Sequence, residues 1–430
     1  MSNQVQADYV SAQEFESNSE APVERGDLTD IRPIPRISMQ CFCETDIIAQ
    51  TLEMTGRDRR MARTHVKVNM GGIPAAVEFY QTAPTPNLIM VESHKTNPAL
   101  MEELGRLAEV CDPDTKVVVI GHHNDILIYR ELISNGVSDY LVAPIAMADI
   151  MNTVSDIFVN PENGPIGRVV AFVGAKGGCG SSTICHNVAW AISTRYKVDT
   201  LIADMDLAFG TANINLDQDP PQGIAEAVFS SERVDDILLD RLLAKCAEHL
   251  NLLAAPSTLE RTYDFQQEAF YPIIETAQRS SPHVVLDIPH MWTSWTRQTL
   301  AAADDVVITA EPELASLRNT KNMIDALAEL RPNDSPPKLI INKAGISKRP
   351  EISIADFCRP LELEAAAVIP FDPELFGSAA NNGQMIAETD SRSAIAGHFD
   401  FLAQVLTGKA ELKVEKKGAR GLMSLLRRGK

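Results

Sequence analysis

The sequence predicts an α/β protein of two doubly wound, parallel-sheet domains, and three observations carry that prediction. Between residues 36 and 159, five short apolar runs alternate with helix-forming stretches, the pattern of a parallel sheet with helices on both faces. From residue 166 the alternation resumes, now with apolar runs that end in carboxylates. Between the two, Asn160-Pro-Glu-Asn-Gly-Pro165 is dense in breakers and reads as a linker over 160–165. A chain of 430 residues has room for both domains and two tails.

Taken in order, residues 1–35 carry Asp8, Glu14, Glu16, Glu20, Glu24, Asp27 and Asp30 among Ser, Gln and Pro. Such a segment cannot bury enough apolar surface to order itself, so it is expected to be a disordered acidic tail or, alternatively, a partner-binding peptide. The strands expected in 36–159 are 37–42, 64–69, 87–91, 116–120 and 139–142. Cys41-x-Cys43 has no second pair nearby to complete a zinc site. Seven scattered cysteines fit reduced, buried thiols better than a disulfide framework.

The second domain, 166–408, opens with VVAFVGAKGGCGSSTICHNVAWAIS at 169–193: an apolar run, a glycine-rich loop, a helix-forming pattern. Gly174, Gly177, Gly178 and Gly180 let backbone N–H groups converge on an anion without a Cβ in the way, and the helix N-terminus adds its dipole. Phosphates are what such a loop holds. Against G-x-x-x-x-G-K-[ST] it departs twice, because the first glycine is Ala175 and the lysine after the last glycine is Ser181. A lysine stands early instead, at Lys176. Further on, the run from Thr200 ends in Asp204 and Asp206, and His283-Val-Val-Leu-Asp287 ends in a third carboxylate. Strand ends of this kind lie at the edge where parallel sheets bind ligands; an acidic helix cap is the plainer account for any one of them. Apolar runs at 304–312, 338–343 and 367–373 supply further strands.

KGGCGSS resembles the deviant P-loop (deviant Walker A) of the ParA/MinD ATPase superfamily, KGGxGK[ST], with the first lysine kept and the second lost. That resemblance implies ATP and Mg²⁺ as ligands. Gly174, Lys176, Gly177, Gly178, Cys179, Gly180, Ser181, Ser182 and Thr183 would line the nucleotide, with Asn342 on the adenine side. Ser182, Asp204 and Asp287 would serve the metal, Asp287 from the Walker B position and Asp204 from just behind it; Asp206 would orient the attacking water. Lys176 would reach across a nucleotide-sandwich homodimer to the partner's phosphates. Ser181 cannot place positive charge on the phosphates, so hydrolysis is expected to be slow or dependent on a partner.

The first domain resembles a response-regulator receiver, a flavodoxin-like fold: NLIMVES matches its third strand, and ELISNGVSDYLVAPI its fourth helix, fifth strand and closing proline. The receiver's chemistry is missing. Where that family has its acidic pair, phosphoacceptor aspartate, Ser or Thr, and lysine, this chain has Cys41 and Cys43, Glu92, Gly121 and Ala143. A pseudo-receiver used for docking or dimerisation is expected. Trp292, Trp295, His290, His122 and His123 read as structural rather than catalytic.

A degenerate receiver joined to a deviant ParA/MinD-like domain is similar, over about residues 36 to 405, to the CpaE/TadZ proteins of the Tad (Flp, type IVb) pilus system. This implies an ATP-dependent homodimer that localises pilus assembly and secretion machinery at the cytoplasmic face of the inner membrane or the cell pole. No apolar run suggests a membrane span, and the polar N-terminus does not read as a signal peptide, so a cytoplasmic protein is expected. Residues 409–430 hold eight basic and two acidic residues, with Leu422, Leu425 and Leu426 on one helical face. That segment reads either as membrane-contacting or as a solvated tail. Two other functions stay open: a cargo- or DNA-positioning ATPase, against which the net charge of −19 argues, and a scaffold with a vestigial nucleotide site.

Overall fold

The computed structural model describes residues 34, 37–158, 166–230, 234–259 and 261–410. The acidic tail apart from Ile34, the linker 160–165 and the basic tail from residue 411 onward lie outside the described residues. The chain divides into two compact units, one containing Gln40–Glu53 and Lys67–Ile150, the other Met54–Val66 and Met151–Lys430.

The first unit is built on a five-stranded sheet of β1 (Ser38–Cys43), β2 (His65–Met70), β3 (Leu88–Ser93), β4 (Lys116–Gly121) and β5 (Asp139–Val142), in the order β2-β1-β3-β4-β5. Each strand lies within a residue or two of its expected position. Strand β4 pairs in parallel with both β3 and β5. Every residue of β3 is buried, as expected of a strand with helices on both faces. Phe42, Tyr80, Ile89, Val91, Val119 and Leu132 belong to one core cluster. The strand order is the flavodoxin-like one that the receiver resemblance implies.

The second unit is organised by an eight-stranded sheet: β6 (Arg168–Gly174), β7 (Thr200–Asp204), β8 (Ala244–Ala247), β9 (Leu250–Leu253), β10 (His283–Ile288), β11 (Asp305–Ala310), β12 (Lys338–Ala344) and β13 (Ala365–Pro370). Their order is β13-β12-β11-β6-β10-β7-β9-β8, and only the edge strand β8 runs antiparallel. Alternate residues of β6 feed two cores, Val169, Ala171 and Val173 on one face and Val170 and Phe172 on the other. The second face is covered by helix Ser181–Tyr196, through Ile184, Cys185, Val188 and Ile192. Burial on both faces is why these strands read as continuous apolar runs rather than alternating ones. The hairpin β8–β9 is an addition to the expected strands. Its arms, AKCA and LNLL, are only four residues long, too short for an apolar pattern to signal strands.

All seven cysteines are free, and burial raises the thiol pKa of every one, Cys43 and Cys246 to about 12. Native protein at pH 8 is therefore expected to react with a thiol-specific reagent at least about tenfold more slowly than urea-unfolded protein. A fast native phase would identify a thiolate that burial does not suppress.

Candidate functional site at the edge of the eight-stranded sheet

The glycine-rich loop leaves the C-terminal end of β6, the middle of the sheet, and enters helix Ser181–Tyr196 through Gly180. Gly178 (φ 78°) and Gly180 (φ 91°) take the left-handed conformation that the turn requires. A Cβ at Gly180 would collide with the Asn342 amide, whereas one at Gly177 or Gly178 would meet open space. Neighbouring elements pin the loop. Ala175 N–H donates to Thr309 O (2.8 Å), Asn319 Nδ2 donates to Ala175 O (2.8 Å), Asn342 Nδ2 to Cys179 O (2.8 Å), and His290 Nδ1 to Gly174 O (2.8 Å). Gly177 and Gly178 are exposed, so the loop is a fixed cradle whose crest faces outward.

Behind the loop, parallel register sets Asp287 of β10 directly beside Asp204 of β7. Asp287 is 3 % exposed; its Oδ1 accepts from Ser182 Oγ (3.1 Å) and its Oδ2 lies 3.1 Å from His186 Nε2. Asn215 Nδ2 is 3.1 Å from His186 Nδ1 and can only donate, so the other ring nitrogen carries the proton toward Asp287. Asp204, fully buried, accepts from Asp206 N–H (3.2 Å) and Ala212 N–H (3.0 Å). Burial first, and the charge of Asp287 second, push its carboxyl up to about 7. Half-buried Asp206 turns the following loop by accepting from Phe209 N–H at 3.0 Å.

At the other side of the loop the Lys176 ammonium lies 2.7 Å from Glu313 and 3.4 Å from Glu311. The Glu313 hydrogen bond, more than Glu311, holds it above its usual range. Glu311, 4 % exposed, also meets Lys343 (3.2 Å) and Arg349 (2.9 Å). Burial alone would raise Glu311, but Lys343 and Lys176 hold it below the usual carboxylate range. Lys343 reaches the loop as well, donating to Gly178 O at 2.5 Å. Ser181, where the second lysine would stand, is buried, and its Oγ has no hydrogen-bond partner among the described residues.

The structure thus gathers the loop residues, Ser182, Asp204, Asp287 and Asn342 around one strand edge, with Thr183 in the first turn of the following helix. Asn342 is engaged by the loop backbone through its amide nitrogen. The sequence reading missed His186, Glu311, Glu313, Lys343 and Arg349. His186 was findable, because it lies one helical turn after Ser182 on the same face. The donor set suits a magnesium-bound nucleotide: backbone N–H groups at an open glycine crest, a hydroxyl paired with a carboxylate, and a second, buried carboxylate beside it.

The corresponding edge of the first unit has no such set. Glu92 is wholly buried; Oε2 accepts from Glu44 N–H (2.7 Å) and Thr45 N–H (2.9 Å), while Oε1 meets the Thr45 hydroxyl (2.8 Å) and His122 Nε2 (3.0 Å). At Gly121, a Cβ would strike the Tyr140 hydroxyl, which donates to His123 O (2.9 Å), so the ring of Tyr140 leaves no room for the Ser or Thr of an active receiver.

A family model described as an AAA domain matches residues 167–340. The septum site-determining protein MinD of Synechocystis is 25% identical over 251 residues, 56% of this chain and 90% of that protein. A solved ParA family ATPase from Chlorobium tepidum TLS is 25% identical, covers 55% of this chain and 98% of its own, and has a TM-score of 0.51. The solved pilus assembly protein CpaE from Caulobacter crescentus CB15 is 43% identical over 30% of this chain and 98% of its own, with a TM-score of 0.30. That level of identity across nearly all of the CpaE chain, together with a ParA/MinD-like sheet and loop, means that this chain belongs to the CpaE-type proteins of the ParA/MinD superfamily.

Proposed function

We propose that the protein is an ATP-binding localisation factor for pilus assembly that dimerises when Mg-ATP is bound and hydrolyses it slowly or only with a partner. The observation that carries this reading is the Ser182–Asp287 contact at the foot of an open glycine cradle, in register with buried Asp204. In this reading the backbone N–H groups of 177–183 and Ser182 bind the phosphates and Mg²⁺, and Asp287 and Asp204 balance the metal's charge. Ser181 cannot supply the positive charge of the missing lysine, and Lys176 would supply it only from a second copy of the chain. Lys176 is anchored to acids at the rim rather than folded onto its own loop, which suits a lysine that serves a second copy. Asp206 is assigned to water positioning. Recruitment of Tad pilus components at the inner face of the membrane or the cell pole is assigned by analogy with the CpaE relative. Among the described residues no helix is long and apolar enough to cross a membrane.

A fluorescent ATP analogue tests the binding step. Saturable, Mg²⁺-dependent binding is expected for the wild type, weakened at least about tenfold (~1.4 kcal/mol) by Gly180→Val, whose side chain needs the space of the Asn342 amide in a left-handed backbone. Absence of Mg²⁺-dependent binding by the wild type would leave the scaffold reading with a vestigial site.

A further inference from the structure

The dismantled receiver edge carries a cluster that its family's chemistry does not use. Glu92, His94 and His122 each present a ligand atom, and these atoms lie within 4.8 Å of one another. Glu44 joins them, its Oε2 2.7 Å from His94 Nδ1 and accepting from His94 N–H at 3.1 Å. The two imidazole rings stack, with centroids 3.6 Å apart and planes 14° from parallel.

We propose that Glu44, Glu92, His94 and His122 form a binding site for a divalent transition metal of the zinc class. Three features separate this cluster from a chance surface grouping. First, Glu92 is immobilised: two backbone N–H groups hold Oε2, which aims Oε1 at His122. Second, room for the Glu44 carboxylate is built into the backbone. Gly72 stands at φ +59°, and a Cβ there would lie 2.8 Å from Glu44 Cγ and 2.9 Å from its Oε1. Third, the site is graded from closed to open: Glu92 is buried, the His122 side chain is 26% exposed and that of His94 51%, which provides an entry path and a ligand free to swing.

One nitrogen of each histidine, His94 Nδ1 and His122 Nε2, meets a carboxylate oxygen, the place a cation would take. Ligand atoms of a tetrahedral zinc site with bonds of about 2.0–2.1 Å lie roughly 3.3 Å apart, so the atoms of Glu92, His94 and His122 must draw together by at most about 1.5 Å, and Glu44, held by His94, must follow. Rotation of the half-exposed His94 can supply much of that. Two imidazoles with two carboxylates suit Zn²⁺, and Co²⁺ as its spectroscopic substitute, whereas Mg²⁺ prefers an all-oxygen octahedron. The cluster therefore replaces the receiver's hard-cation chemistry with a different ligand set at the same sheet edge. Bound metal would tie the loop after β1 (Glu44) to the ends of β3 (Glu92 and His94) and β4 (His122), stiffening the face expected to dock partners.

The test is titration of full-length protein, freed of any affinity tag and treated with chelator, with ZnCl₂ by calorimetry and with CoCl₂ by visible absorption. One Zn²⁺ per chain at micromolar or tighter affinity is expected, with a Co²⁺ ligand-field band of a four-coordinate site. His94→Ala, His122→Ala and Glu44→Gln should each weaken Zn²⁺ at least about tenfold, while Cys41→Ser with Cys43→Ser should not. His94 is half exposed, so its variant is expected to fold, and circular dichroism checks this. The proposal is overturned if no saturable site appears, if the His94 variant binds like the wild type, or if Mg²⁺ competes on equal terms.

Discussion

Asp287→Asn is expected to raise the melting temperature of nucleotide-free protein at pH 8 while erasing the further rise that Mg-ATP gives the wild type. The amide can keep both contacts, accepting from His186 Nε2 and donating to Ser182 Oγ, so nothing is orphaned. What disappears is a negative charge beside buried Asp204. Because the Asp204 carboxyl titrates near about 7 in the folded protein, against ~3.9 when unfolded, the folded state binds the extra proton between those limits. Stability from this group is therefore fully present below about pH 4 and declines as pH rises to about 7. With the Asp287 charge gone, burial is the principal cause left, and the decline should be shallower by roughly 1–3 kcal/mol at pH 8. Thermal melts of both proteins from pH 5 to 8, with and without Mg-ATP, read this directly. A variant less stable than wild type at pH 8 would show that the carboxylate's hydrogen bonds outweigh the repulsion. A variant that keeps its Mg-ATP response would remove Asp287 from the metal's surroundings.

Glu92→Ala should destabilise the first unit by roughly 2–4 kcal/mol, since it strips the acceptor from two backbone N–H groups, the Thr45 hydroxyl and His122 at once. Burial alone would push Glu92 up, but the Thr45 and Glu44 N–H groups, the Thr45 hydroxyl and His122 together hold it below the usual carboxylate range. Its stabilisation is therefore present above ~4.3 and lost as pH falls through the lower folded value. Glu92→Asp, which restores the receiver's residue type, is one methylene too short to keep all four contacts and should also lose stability. Acetyl phosphate should leave the mass of both the wild type and Glu92→Asp unchanged. Urea denaturation and hydrogen exchange across β3 measure the stability effect. A loss below about 0.5 kcal/mol for Glu92→Ala would mean that water readily replaces the carboxylate.

The fold was legible where burial on both faces made strands into unbroken apolar runs, as in Leu88–Ser93 and His283–Ile288. It was not legible at β8–β9, where a short edge hairpin needs little apolar length and so leaves little pattern. The site divided the same way. Residues adjacent in sequence, from Gly174 to Thr183, carry their geometry in their order, and strand-end carboxylates mark the binding edge of a parallel sheet. Lys176, by contrast, finds Glu311 and Glu313 from a strand end more than a hundred residues away, and no spacing rule announces that pairing. Receiver chemistry was visibly absent from the residue types at 92, 121 and 143, but the reason at Gly121 is Tyr140, a packing fact that only coordinates reveal.

Sedimentation velocity of the full-length protein, with and without Mg-ATP and beside Lys176→Ala, tests most directly the proposal that Lys176 acts between two copies of the chain. Mg-ATP is expected to shift the wild type to a dimer, while Lys176→Ala is expected to bind the nucleotide and stay monomeric. A wild type that binds Mg-ATP without changing its sedimentation, or a Lys176→Ala variant that dimerises as readily, would contradict it.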